Sequence, residues 1–254
     1  VGEAPDKAMS RRERLRVEAT RQILEIALHQ MASEGPGAIS LRGIAREMGM
    51  TPRAIYSYFA TRDDLITALI RHISSSLADA LERARDAVPA AHPENRLLAW
   101  GQALRVWAMA NPQGFQLVYG DPIPGYQQPE QGPVEEAALR ICGGLNRLVA
   151  AACSPLPYSP EAAAEADWSD FPAGYLATVR AEVPDLSPAV ASRALRVWGR
   201  LHGLVTLEIH GHLRAVCNDP AVLYRAEMLD LVRSLAPAPS GAGTDERNVI
   251  TPAT

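Results

Sequence analysis

The 254-residue sequence predicts an all-α fold. Apolar residues recur every three or four positions in one segment after another, the period of a half-buried helix, and no segment keeps the strict alternation of a strand. The segments are also punctuated as helices are. Thr51-Pro52, Ser187-Pro188 and Asp219-Pro220 each put a capping side chain before a proline, which needs no backbone N–H in the first helical turn.

Taken in order, residues 1–10 read as an arm and Arg11 to Glu34 as a first helix with Ile23, Ala27 and Met31 on its inner face. Helices are expected at about 40–48, 52–58 and 62–88, the last linking two modules. The stretch ENRLLAWGQALRVWAMA aligns Leu97, Trp100, Leu104 and Trp107 on one helical face before Asn111-Pro112 stops it. A short helix through QGFQLVY follows, then a loop, GDPIPGYQQPEQGP, too rich in Pro and Gly for regular structure. Val134 to Cys153 reads as helix, SPLPYSP as a break, and the segment from Glu161 to Glu182 as helix interrupted near Phe171-Pro172. Ser187-Pro188 opens a long helix expected to reach Val216, and Asp219-Pro220 opens a last one to about Leu235. The tail APAPSGAGTDERNVITPAT has no periodicity and is expected to be disordered.

Composition narrows the function. Hydrophobic residues make up 47% of the chain, enough for a core, and its length suits two modules. No apolar run is long enough for a membrane span, and no basic segment followed by an apolar one suggests a secretory signal. Cys142, Cys153 and Cys217 lack CxxC spacing and are expected to be buried free thiols of a reducing cytoplasm. The net charge of −4 is uneven: residues 7–62 hold ten basic and five acidic side chains, a net +5, which leaves −9 on the rest. A basic end on an acidic body suits nucleic-acid binding through one module.

The segment SLRGIAREMGMTPRAIYSYFATRDDL carries the sharpest signal. Leu41, Ile44, Ala45 and Met48 give one helix an apolar stripe, Gly49 suits a left-handed turn, and Thr51-Pro52 starts a second helix. Thr61 with Asp64 forms a capping-box start for a third. Helix, turn and short second helix describe a DNA-reading helix-turn-helix. Together with TRQILEIALHQMASEG, Gly35 and IYSYFATRDDL, the segment resembles the DNA-binding domain of the TetR/AcrR family of bacterial transcriptional regulators over about residues 15 to 66. It departs from the family at Tyr58, where histidine is frequent. WGRLHGLVTLEIHGHL, with Trp198, His202 and Gly203, resembles the regulatory-domain motif of a subgroup with a tryptophan-histidine-glycine signature.

The resemblance implies a DNA-binding domain at residues 1–66, a larger helical regulatory and dimerisation domain at 67–236, and a tail at 237–254. It implies a repressor that binds a palindromic operator as a homodimer and is released by a small-molecule effector. The residue types point to Arg53 for guanine readout, with Thr51, Pro52 and Ala54 at the tip. Tyr56, Ser57, Tyr58, Arg62, Ser40 and Arg42 are candidates for the DNA-facing and phosphate-contacting surface, and Arg11, Arg12 and Arg14 for an adjoining groove. Candidate effector-lining residues are Trp100, Trp107, Phe115, Tyr119, Tyr175 and His202, though aromatic residues at helical spacing usually pack as plain core, the reading favoured for each. Leu195, Trp198, Leu201, Val205, Leu207 and Ile209, with Leu223, Leu229, Leu231 and Val232, supply the expected dimer surface. His210 and His212 at i and i+2 of a helix would point apart, which argues against a metal site. No GxSxG, HExxH or nucleotide loop occurs, and no catalytic residue or cofactor is assigned. The other readings that remain are a ligand-independent DNA binder and an all-α enzyme.

Overall fold

The computed structural model describes residues 10–127, 133–153 and 166–235. Among the described residues every regular element is helical. The order is α1 (Arg11–Glu34), α2 (Leu41–Glu47), α3 (Pro52–Ile55), α4 (Arg62–Asp86), α5 (Pro93–Ala110), α6 (Pro112–Tyr119), α7 (Pro133–Ala152), α8 (Ala173–Glu182), α9 (Pro188–Ile209) and α10 (Pro220–Leu235). Single 3-10 turns sit at Pro36–Ala38 and Trp168–Asp170. The expected arm before Ser10, the SPLPYSP break, the start of the Glu161 helix and the tail lie outside the described residues.

Local chemistry explains the helix starts. Ser10 and Glu13 form a reciprocal capping box on α1, and Thr61 and Asp64 do so on α4. Thr51, Ser187 and Asp219 accept from backbone N–H groups in the first turns of α3, α9 and α10. Each such cap is worth about 1 kcal/mol.

The central element is α4, whose 25 residues span about 38 Å. Leu65, Ile66, Leu69, Ile70, Ile73, Leu77, Ala78 and Leu81 are all buried along one side of it. It packs on α1, α5, α6 and α7. On α1 the buried residues are Ile23, Leu24, Ala27 and Met31, and on α5 they include Leu97, Trp100, Leu104 and Trp107, the faces expected from their spacing. These side chains form one continuous core running from α1 to α10.

The structure corrects four expectations. The second helix of the helix-turn-helix stops at Ile55, and residues 56–58 form a turn. The penultimate helix ends at Ile209 rather than Val216, because Gly211 takes a left-handed φ of 75° and turns the chain. Leu201, Val205 and Leu231, expected on a dimer surface, have 0% exposure and belong to the core. The cysteines are free, but Cys142 is exposed and Cys153 and Cys217 are half-buried, so none fills a core position.

A mostly buried ion pair ties α5 to α9: the Arg105 guanidinium donates from two nitrogens to the two carboxylate oxygens of Glu208, at 2.8 and 2.5 Å. Both side chains are about 15% exposed or less. Glu208→Gln should therefore destabilise the protein by about 1–3 kcal/mol, since Arg105 keeps only one neutral acceptor in place of the carboxylate. Leu201→Ala should cost about 2–5 kcal/mol and Val106→Ala, at 56% exposure, less than about 0.5 kcal/mol. Urea unfolding followed by circular dichroism measures all three. Equal costs at Leu201 and Val106 would contradict their assignment to core and surface.

Candidate nucleic-acid interface and the aromatic cluster

The segment between α2 and α3 turns at Gly49, whose φ of 65° any side chain would strain. Ile44, Ala45, Ile55 and Phe59 are buried beneath it. That packing leaves Thr51, Pro52 and Arg53 exposed at the tip, with Ala54 half-buried and Tyr56 44% exposed. Ser40 and Arg42 are exposed at the start of α2, where the Ser40 hydroxyl accepts from the Gly43 N–H. Arg11, Arg12 and Arg14 are exposed in the first turns of α1, on the same N-terminal unit.

Three candidates have internal duties. The Ser57 hydroxyl donates to the Ala54 carbonyl at 2.7 Å. Tyr58 is half-buried, with the Arg16 guanidinium 5.0 Å above its ring centroid. Arg62 is half-buried and its Nε donates to the Ile39 carbonyl at 3.2 Å, which ties the start of α4 to the connector before α2.

Arg16 is the residue that sequence reasoning missed. Besides covering Tyr58, it donates to the Ser57 carbonyl at 3.0 Å, 41 residues away in sequence. It thus clips α1 to the turn that ends α3 and satisfies a carbonyl the short helix leaves open. Its only sequence signal was charge, shared with every neighbouring arginine.

In the second unit the structure gathers Trp100, Phe115, Tyr119 and His202, and adds Trp198. The His202 ring lies 5.1 Å from Phe115, 5.0 Å from Tyr119 and 5.2 Å from Trp198, centroid to centroid. Trp100 meets Trp198 edge-on at 6.3 Å. The other two candidates lie elsewhere. Trp107 is buried with its indole N–H donating to Ser76 on α4. Tyr175 stacks on Phe171, which also meets Trp168, in a separate small cluster. Burial favours the uncharged forms of His202 and Tyr119, lowering the pKa of the first and raising that of the second. His210 and His212, past the end of α9, stack at 6.1 Å instead of pointing apart, since they are no longer on a helix. Among the described residues no group of three or more potential ligands assembles around them.

This architecture has relatives. Residues 97–231 match the family model of the tetracyclin repressor-like C-terminal domain, and residues 23–69 that of the tetR family of bacterial regulatory proteins. The chain belongs to the TetR family. Over 90% of its length it is 32% identical to the HTH-type transcriptional regulator Rv1816 of Mycobacterium tuberculosis, covering 97% of that protein. The crystal structure of the regulatory protein SCO4313 is 34% identical, with a TM-score of 0.69 over 87% of this chain and 98% of that one. A Rhodococcus protein of unknown function shares the fold at a TM-score of 0.62, covering 91% of this chain and 98% of its own. The protein is accordingly a transcriptional regulator of the TetR family with a DNA-binding helix-turn-helix, and no helix among its described residues is long and apolar enough to cross a membrane.

Arg16→Met keeps much of the side chain's bulk and removes the clip. Amide exchange across residues 51–59 should accelerate several-fold while helix content stays constant. Unchanged exchange there would remove the positioning role from Arg16.

Proposed function

We propose that this TetR-family regulator is a cytoplasmic repressor that binds a palindromic operator as a homodimer and releases it when a small molecule enters the aromatic cluster. In this reading residues 1–66 read DNA and residues 67–236 regulate and dimerise; no catalytic step is assigned.

The observation that carries the ligand response is the position of α6. Phe115 and Tyr119 face the cluster from this eight-residue helix. On the same helix a Cβ at Gly114 would sit 3.0 Å from the Ile73 side chain of α4. Gln113, Gln116 and Leu117 border a crevice of about 420 Å³ whose far wall is Met31, Ala32 and Gly35 at the end of α1. A ligand that spreads the cluster therefore displaces a helix already in contact with α4 and facing α1. Differential binding of about 1–3 kcal/mol between the two arrangements changes DNA affinity about 5–150-fold, and DNA weakens the ligand equally.

Dimerisation is supported by the apolar side chains left outside the core on the last two helices: Leu195 at 49% and Leu207 at 41% exposure on α9, and Val222 at 64%, Leu223 at 39% and Leu229 at 38% on α10. One recognition helix of four residues buries too little for useful specificity, which a second copy on the adjacent half-site supplies.

Selection of bound sequences from a random DNA pool should return a palindrome with half-sites about one helical turn or somewhat more apart. Arg53→Ala should weaken the selected site by about 1–3 kcal/mol and relax one base position per half-site; equal weakening on random DNA would remove its reading role. The double variant Leu195→Glu with Leu229→Glu should sediment as a helical monomer that no longer binds the palindrome. A wild-type chain that sediments as a monomer while binding tightly would defeat the dimer model.

A further inference from the structure

The aromatic cluster contains one polar atom with an unmet need. His202 Nδ1 lies 3.3 Å from the Thr206 hydroxyl, one turn further along α9. His202 Nε2 is sealed from solvent and has no hydrogen-bond partner among the described residues. It is walled by the rings of Phe115, Tyr119 and Trp198, so it sits among apolar faces. A buried polar atom of this kind is an exception that needs a physical account, because most are paired.

The surroundings restrict what can pair with it. A carboxylate would find a counter-ion here only by protonating His202, which burial disfavours by lowering its pKa, so the cluster favours an uncharged occupant. A quaternary ammonium would suit the ring faces but offers no hydrogen-bonding atom to Nε2. A hydroxyl suits it whichever way the Thr206 contact is oriented. If the threonine donates to Nδ1, Nε2 carries the proton and the ligand oxygen accepts; in the other tautomer the ligand hydroxyl donates.

The cluster is closed as it stands, because its rings are in contact. Tyr119 is the part best placed to open. It is the last residue of α6, is half-buried, and precedes Gly120, where the chain leaves the helix. Its own ring already stands edge-on to His202 at 5.0 Å and tilted on Trp198 at 5.5 Å, so an aromatic ring fits between these two neighbours.

We propose that the effector is an uncharged aromatic molecule bearing a hydroxyl, of the phenol or naphthol class, with its oxygen on His202 Nε2 and its ring in the place Tyr119 now fills. This rests on the reading of the cluster as the effector site. Tyr119 is then a lid that mimics the ligand in its absence, and its displacement moves the end of α6.

Three probes separate the possibilities: 1-naphthol, naphthalene and 1-naphthoate, titrated into the full chain with tryptophan fluorescence as readout. Naphthol should bind more tightly than naphthalene by a few-fold to about tenfold, the size of one neutral hydrogen bond, and naphthoate should be the weakest. His202→Phe, which keeps a flat ring, should bring naphthol down to naphthalene. In the unmutated protein the 15N resonance of His202 Nε2 should shift with naphthol and hardly at all with naphthalene, a readout that does not depend on the variant folding. Equal binding of naphthol and naphthalene, with no resonance shift, would overturn the hydroxyl assignment alone. Tighter binding of naphthoate would overturn the restriction to uncharged ligands. Failure of every probe to change the fluorescence at its solubility limit would overturn both this inference and the reading of the cluster as a ligand site.

Discussion

The buried stripe of α4 is shared between two sets of neighbours, and the remaining helices are arranged around that sharing. The helix packs on α1 of the N-terminal unit and on α5, α6 and α7, and its buried apolar residues from Leu65 to Leu81 belong to one core with both. A helix of this length can serve both because each side chain along the stripe contributes about 1.5–3 kcal/mol on burial, far more than helix propensity supplies. The consequence is mechanical. On the ligand response proposed above, a displacement near Ile73 would pass along this continuous helix to Thr61 and the loop that Arg62 holds through the Ile39 carbonyl.

Charged contacts fix the far end of the same helix. Arg140 on α7 donates to Asp79 and Glu82, and Arg96 on α5 pairs with Asp86 while donating to the Arg85 carbonyl. These side chains are partly exposed, so individually they stabilise little. They join α4 to α7 and α5 at its C-terminal end, beside the rotation already set by its buried stripe. Arg105 and Glu208 differ, being mostly buried; their bidentate geometry ties α9 to α5 about two to three turns from His202 and Trp198.

What the sequence made legible follows from the range of the physics involved. The helices, their caps and the inner faces of α1 and α5 depend on residues within a few turns of one another, and periodicity reads them directly. The Gly49 turn and the exposed Thr51-Pro52-Arg53 tip are local in the same sense. Membership of the aromatic cluster is not. Trp107 shares its helical face with Trp100, yet two turns further along α5 that face meets Ser76 of α4 instead of α9. Trp198 enters only because α9 crosses at that height. Leu201 and Val205 were misplaced for the same reason: α9 carries apolar residues on more than one side, Leu195 and Leu207 exposed and Leu201 and Val205 buried, and which side is inside depends on its neighbours.

The arrangement suggests why this chain keeps polar atoms in its most apolar region. An aromatic core optimised for stability would place phenylalanine or leucine at position 202, since an unpartnered ring nitrogen is a cost with no return in the unliganded state. On the reading proposed above that cost serves specificity. A pocket of bare rings binds flat molecules with little discrimination, whereas one buried nitrogen penalises any occupant that leaves it unpaired. The same cost makes the closed state easier to leave, because a ligand that satisfies Nε2 recovers a hydrogen bond the protein alone never makes. That recovered energy, together with the ring contacts Tyr119 gives up, is the source from which the shift of α6 against Ile73 must be driven.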